Sequence, residues 1–195
     1  QAIQDGEVKI DIAILAAPAA DSFGNARGTG GPSATGVIGY AKPDYLYADK
    51  VIVVTDNLVD LPCFPMEIEG NYVDYVVVVD KIGIPEKIVS GTTQITKSPD
   101  RLLIAELTTS FLEKSGLLRN GATMQAGAGG TSLAIAVYVH QLLKKKGWKL
   151  SFGFGGSTKY MVDMLEEGQM GYILDAQAFD LDSVKSIEKN LNHIP

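Results

Sequence analysis

Twice in succession, over residues 122–145 and 149–167, a short apolar strand pattern runs into a glycine cluster and then into helical periodicity. A strand that passes into a helix and then into another strand of the same kind must cross over. Such crossovers are right-handed and build a parallel sheet. The first of these units predicts a strand over 122–125, a turn over 127–130 and an apolar helix over 132–145, stopped by Gly147. The second predicts a strand over 149–154, a turn at Gly155 and Gly156, and a helix over 157–167. Upstream, nearly unbroken apolar runs at 9–17, 50–55 and 73–80 read as strands, and runs of this kind suggest a sheet covered on both faces. Between the first two lies the loop 21–39, with Gly24, Gly28, Gly30, Gly31, Gly36 and Gly39; loops of this length are usually functional or disordered. At Ser98 the pattern changes from strand-rich to helix-rich. Pro99 and Asp100 form a start signal, Leu102, Leu103, Leu107, Phe111 and Leu112 follow at helical spacing, and Ser115 and Gly116 close the helix.

With 195 residues, 46% of them hydrophobic, the chain can bury a substantial core in one large or two small domains. The net charge of -6, without a basic stripe, argues against a nucleic-acid partner. No apolar run approaches the roughly 20 residues that span a bilayer, and the first residues lack a signal-peptide pattern, so a cytoplasmic location and no membrane association are expected. Cys63 is the only cysteine and reads as a packed bystander thiol. The chain opens on Gln1 and reads as an excerpt of something longer.

The segment Gln125, Ala126, Gly127, Ala128, Gly129, Gly130, Thr131 stands between a strand and a helix, where backbone amides and the helix N-terminus can hold a phosphate or a developing oxyanion. Tight strand-to-helix packing would use the same glycines, and spacing leaves both readings open. Gly155 and Gly156 should lie at the same sheet edge, where ligands of open parallel sheets gather. Two bare glycine turns suit a thioester or pantetheine-like arm better than a metal. His140 and His193 are the only histidines and fall in no metal-ligand spacing, so no metal is expected. His140 reads as a packing or surface residue, Ser157 as a helix N-cap, and Lys144, Lys145 and Lys146 as partners of a helix dipole. Asp163, Glu166 and Glu167 read as a solvated helix face. No GxSxG elbow is present.

The stretches KIDIAILAAPAADSFGNARG, YADKVIVVTDNLV, VDYVVVVDKIG, SGTTQITKSPDRLLIAE, MQAGAGGTSLAIAV and SFGFGGSTKYMVDMLEEG resemble successive blocks of citrate lyase alpha chains. The resemblance runs through essentially the whole sequence in order. It implies the three-layer α/β fold that CoA-transferases share with certain sugar-phosphate isomerases, a mostly parallel sheet with helices on both faces. It also implies that residues 1–97 are the end of a first CoA-transferase half and residues 98–195 the beginning of a second, packed as one unit and inactive alone or nearly so.

The function implied is exchange of acetyl for citryl on the thiol of an acyl carrier protein or of CoA, beside citrate lyase beta and gamma subunits. Citrate and acetate are then the small-molecule partners, and the cofactor is CoA or a CoA-like prosthetic group on the carrier. By the resemblance, Gln125, Gly127, Ala128, Gly129, Gly130 and Thr131 bind the carrier arm, and Gly129, Gly130, Gly155 and Gly156 frame the reaction. Related glutamate enzymes place a nucleophile where this chain has Phe154, Gly155 and Gly156, so direct attack by a citrate carboxylate on the acetyl thioester is implied instead. Asp21, Gly24, Asn25 and Asn57 are expected either to position substrate carboxylates or to cap turns. The same motifs serve a citramalate lyase alpha chain. A carrier-binding fragment without catalysis and a sugar-phosphate isomerase are the readings from other classes.

Overall fold

The structure is a computed structural model and describes residues 1–88, 93–190 and 192–194. Residues 90–92, which open the fourth quoted stretch, therefore lie outside the described residues. The chain forms two compact units, Gln1–Ile88 and Val89–Ile194.

The first unit is built on a parallel sheet in the order β1 (Ile10–Ala16), β4 (Ala48–Thr55), β5 (Tyr75–Val78). Helix α1 (Ala41–Tyr47), which sequence periodicity does not announce, enters β4 directly and buries Tyr45 among Ala13, Ala17, Val51, Val53 and Ile68. The small side chains of Ala13 in β1 and Ala17 just after it belong to the same cluster as that ring. The alternation then turns Ile12 and Ile14 outward, where they are 57% and 67% exposed, so the unbroken apolar run does not mean burial on both faces here. A short antiparallel ribbon, β2 (Ala19–Ala20) and β3 (Ala26–Arg27), follows β1 and bridges to Leu58 and Ile68.

The second unit carries a wholly parallel sheet, β6 (Thr123–Met124), β7 (Leu150–Ser157), β8 (Met170–Ala178) and β9 (His193–Ile194), whose neighbours are consecutive in the chain. Helices α3 (Gly130–Lys146), α4 (Lys159–Glu166) and α5 (Leu181–Lys189) make the crossovers. The core gathers Val139, Leu143, Leu150, Met161, Met164, Met170 and Ile173, each at most 2% exposed. Side chains of this size contribute about 1.5–3 kcal/mol apiece when fully buried. Helix α2 (Pro99–Lys114) packs on α3, but through the small residues Ala105 and Thr109, while Leu103, Leu107 and Phe111 stay exposed. Of its leucine stripe, Leu112 packs on the core while Leu103, Leu107 and Phe111 are turned outward.

The last turn of α3 ends on Gly147 at φ 64, with the Trp148 amide closing back on the Leu143 carbonyl. Lys144 pairs with Glu167, and Lys146 pairs with Glu113 at 2.6 Å, so two of the three lysines are ion-paired at the helix end. Strand β7 departs from expectation. It does not turn at Gly155 and Gly156 but continues to Ser157, because pairing with β8 persists to Ala178. A bulge falls between the two glycines: Gly155 faces Asp175, Gly156 faces Gln177, and Ala176 is the extra residue. The φ of 107 at Gly155 is one that L side chains rarely adopt.

Candidate functional site

At the carboxyl end of β6, Gln125 leads into the turn of Gly127 and Ala128, and Gly129 is the N-cap residue of α3. Capping here has no side-chain contribution. The Leu133 amide bonds to the Gly129 carbonyl, and the amides of Gly130, Thr131 and Ser132 precede the first intrahelical bond. They are the ordinary donors of a helix N-terminus, reinforced by its dipole.

The glycines of this turn differ in why they are glycines. A Cβ on Gly130 would lie 2.9 Å from the Gln94 carbonyl oxygen and 3.0 Å from the Thr96 nitrogen, so the 94–96 segment requires its absence. Gly129 has an ordinary φ of -76, and a Cβ there would meet nothing within 4 Å. Neither packing nor backbone strain demands glycine at 129; glycine is a favoured N-cap residue, and here it also leaves the backbone uncovered.

The structure brings Gly155 to this turn. A Cβ on Gly155 would lie 3.2 Å from Nε2 of Gln125, so the bulge of β7 and the entry to α3 meet at one edge of the sheet. Gly156 is different: the Phe179 ring occupies the space of its missing Cβ, at 1.9 Å. A groove of about 440 Å³, lined by Leu112, Leu117, Met124, Ile135 and Val139 with Thr108 and Thr123, reaches Gln125. Its walls are aliphatic and its Gln125 end is polar.

Ser157 is not the N-cap of α4. That position belongs to Thr158, and Ser157, still in β7, is fully buried with its hydroxyl lacking a hydrogen-bond partner. The strand's extra length moves the helix start two residues along. His140 lies 3.2 Å from both Gln169 and Glu167, a surface-edge contact. Glu167 is thereby bonded to α3 and not simply solvated, and Asp163 pairs with Lys159 at 2.9 Å.

In the first unit, Asp21 is fully buried and its carboxylate is saturated. Oδ1 accepts the amides of Phe23, Gly24 and Asn25 at 2.9, 3.0 and 3.1 Å; Oδ2 accepts Asn25 Nδ2 and the Cys63 amide, both at 2.8 Å. Burial opposes its ionisation, but the bonds from Cys63, Asn25 and Phe23 prevail and hold the carboxyl below the usual range. Asn25 in turn accepts the Gly70 amide at 3.0 Å, and Gly24, at φ 100, packs on Val73. Asn57 donates to the Gly30 carbonyl at 2.8 Å. These four residues are brought together as braces of the glycine-rich loop, which Glu67 pins through the amides of Gly28 and Ile38 at 2.8 and 2.6 Å. Cys63 is 2% exposed and burial pushes its thiol up, as a packed bystander requires.

Sequence reasoning missed Glu67 and the polar group formed by Asp175, His193 and Ser186. A lone aspartate inside the apolar run of β8 was the available signal. Among the described residues no three histidine, cysteine or acidic side chains converge as metal ligands, and no helix is long and apolar enough to cross a membrane.

Parallel sheets with helical crossovers and a glycine turn at the strand ends define an α/β protein, and its fold is that of CoA-transferases. A 4-hydroxybutyrate CoA-transferase of Porphyromonas gingivalis superposes with a TM-score of 0.63 at 14% identity, covering 99% of this chain and 46% of that one. The family model of the citrate lyase alpha subunit matches residues 1–195. The citrate lyase alpha chain of Klebsiella pneumoniae is 41% identical over 194 residues, which are 100% of this chain and 38% of that protein. A crystal structure described as the putative alpha subunit of citrate lyase in complex with citrate, from Streptococcus mutans, gives a TM-score of 0.89 at 43% identity over 98% of this chain and 38% of that one. The chain belongs to the citrate lyase alpha subunit family and spans about 38% of the length of these relatives.

Proposed function

We propose that this chain supplies part of the acyl-transfer site of a citrate lyase, the site at which acetyl is exchanged for citryl on the thiol of an acyl carrier or of CoA. The observation that carries the reading is the meeting of Gly155 and Gln125 beside the open N-terminus of α3, at the mouth of an aliphatic groove. The groove suits the uncharged, extended arm of a CoA-like prosthetic group, which would bring the thioester to the turn. The amides of Gly130 and Thr131 then face the oxygen on which negative charge develops when a carboxylate of citrate attacks the thioester carbonyl. The bare backbone at Gly129 lets that carbonyl approach. Gln125 orients it from the side of β6. The attack expels the carrier thiolate and leaves a mixed citryl–acetyl anhydride; the thiolate then adds to its citryl carbonyl, and acetate leaves.

Among the described residues, Phe154, Gly155 and Gly156, where related glutamate enzymes place their nucleophile, carry no carboxylate, and Ser157 is fully buried, which supports a direct transfer. Binding and orientation therefore carry the reaction. Asp21, Gly24, Asn25 and Asn57 brace the glycine-rich loop of the first unit. Residues 1–97 correspond in this reading to the end of one CoA-transferase half and residues 98–195 to the beginning of the next. The exposed Ile12, Ile14, Leu103, Leu107 and Phe111 are surfaces that the remainder of a longer chain would cover. Beta and gamma subunits are the partners, and the cytoplasm is the compartment. The excerpt by itself is inactive or nearly so.

The test uses the intact alpha chain with acetyl-carrier and citrate. Gly129→Val should lower thioester exchange on the order of 100-fold while lowering the unfolding free energy by no more than about 2 kcal/mol, the cost of a poor N-cap residue at the start of α3. Equal loss of exchange and stability would make the turn a packing device and defeat the reading.

A further inference from the structure

The second unit buries a polar group that its core does not need. The side chains of Asp175 on β8 and His193 on β9 are 0% and 1% exposed, with His193 Nδ1 3.4 Å from Asp175 Oδ2. The other ring nitrogen, Nε2, lies 3.1 Å from the hydroxyl of Ser186 on α5. The other carboxylate oxygen, Oδ1, accepts the amides of Ser157 at 3.1 Å and Gln177 at 3.2 Å. Stability alone does not account for such a pair, since apolar residues of similar volume often serve a core as well or better.

What the pair touches is the bulge. Asp175 is the register partner of Gly155, and the two amides on its Oδ1 belong to the residues just beyond the register shift on either strand. Oδ1 thus bridges β7 and β8 across the irregularity that gives Gly155 its positive φ and sets it against Gln125. Among the described residues His193 Nδ1 and Asp175 Oδ2 have no hydrogen-bond partner and stand 3.4 Å apart in the buried interior, while Nε2 meets the Ser186 hydroxyl. The ring lies between Ser186 of α5 and the carboxylate on β8, against the oxygen that the two amides leave free. We propose that Asp175 and His193 are a positioning pair that sets the distance between the β7 bulge and Gln125, and through it the geometry of acyl transfer. The inference rests on the acyl-transfer reading of that edge.

The experiment uses the intact alpha chain, labelled with ¹⁵N glycine and histidine, and assays exchange with acetyl-carrier and citrate. Asp175→Asn should move the amide resonances of Gly155 and Gly156, shift the ring-nitrogen signals of His193, and lower kcat on the order of 10- to 100-fold with little change in KM for the carrier. His193→Leu should do the same to kcat. His193→Asn, whose amide can donate from near the Nδ1 position, should recover most of the activity even where it melts no higher than His193→Leu. A His193→Asn variant as impaired as His193→Leu, or Gly155 and Gly156 resonances unmoved by Asp175→Asn, would overturn the positioning pair. If Asp175→Asn does not fold, the contrast between the two His193 variants decides. Wild-type protein without exchange activity would defeat the acyl-transfer reading itself, and the glycine resonances would still report separately on whether the pair holds the bulge.

Discussion

Replacing Asp21 by asparagine changes one oxygen for an amide group, and the structure sets what that costs. Asp21 Oδ1 can keep its three bonds to the amides of Phe23, Gly24 and Asn25 as the carbonyl oxygen of the new side chain. The new NH₂ then faces two donors, Asn25 Nδ2 and the Cys63 amide, each 2.8 Å from the present oxygen. Two buried donors lose their acceptor, at about 1–3 kcal/mol each, so Asp21→Asn should destabilise the protein by roughly 2–6 kcal/mol at pH 7. The dependence on pH has a definite sign. Because the folded carboxyl lies below the free-aspartate value of about 3.9, the unfolded state binds more protons in that interval. The Asp21 contribution is complete above the unfolded value and disappears as pH falls through the folded one. Urea unfolding followed by circular dichroism, at pH 7 and at steps below pH 4, measures the gap between wild type and variant. The gap should narrow as pH falls. A gap under about 1 kcal/mol at pH 7, or one that widens in acid, would refute the assignment of Asp21 as a saturated, ionised brace.

Gly156→Ala places a Cβ into the Phe179 ring and should cost about 1–3 kcal/mol in chemical denaturation; Phe179→Leu in the same chain should restore part of that loss, and an unchanged midpoint in the single variant would show that the ring moves aside freely. The intact enzyme should form no acyl or CoA adduct on its own side chains. Trapping with borohydride or hydroxylamine during turnover, followed by mass spectrometry, should leave every residue of 1–195 unmodified while exchange continues, and a stoichiometric adduct on a glutamate would defeat direct attack.

Much of the fold is legible in the sequence because its signals are strong and local. The valine and isoleucine runs at β1 and β4, the Pro99 start of α2 and the Gly147 stop of α3 each act within a few residues. What eluded reading depends on partners distant in sequence. Helix α1 has only seven residues and owes its burial to one ring, Tyr45, in a cluster with Ala13 and Ala17. The run of β7 through Gly155 and Gly156 looked like a turn because glycine ends strands more often than it continues them, and only pairing with β8 some 20 residues later extends it. The same holds for the site. The turn at Gly127 to Gly130 could be located but not interpreted, since whether a glycine is bare for access or for packing depends on what stands opposite it.

Gly129 and Gly130 show how that ambiguity is resolved. They are adjacent and chemically identical, yet a Cβ at 130 would strike the backbone of 94–96 and one at 129 would strike nothing. A packing account explains Gly130 fully; at Gly129, the N-cap residue of α3, glycine suits the cap and also leaves the backbone bare. Gly155 supplies the complement: its φ demands glycine, and its missing Cβ lets Gln125 approach. Access at one glycine and a forced bulge at the other place open backbone on both sides of Gln125. That arrangement suits a reaction in which the protein contributes amides and orientation and the attacking carboxylate arrives with the substrate.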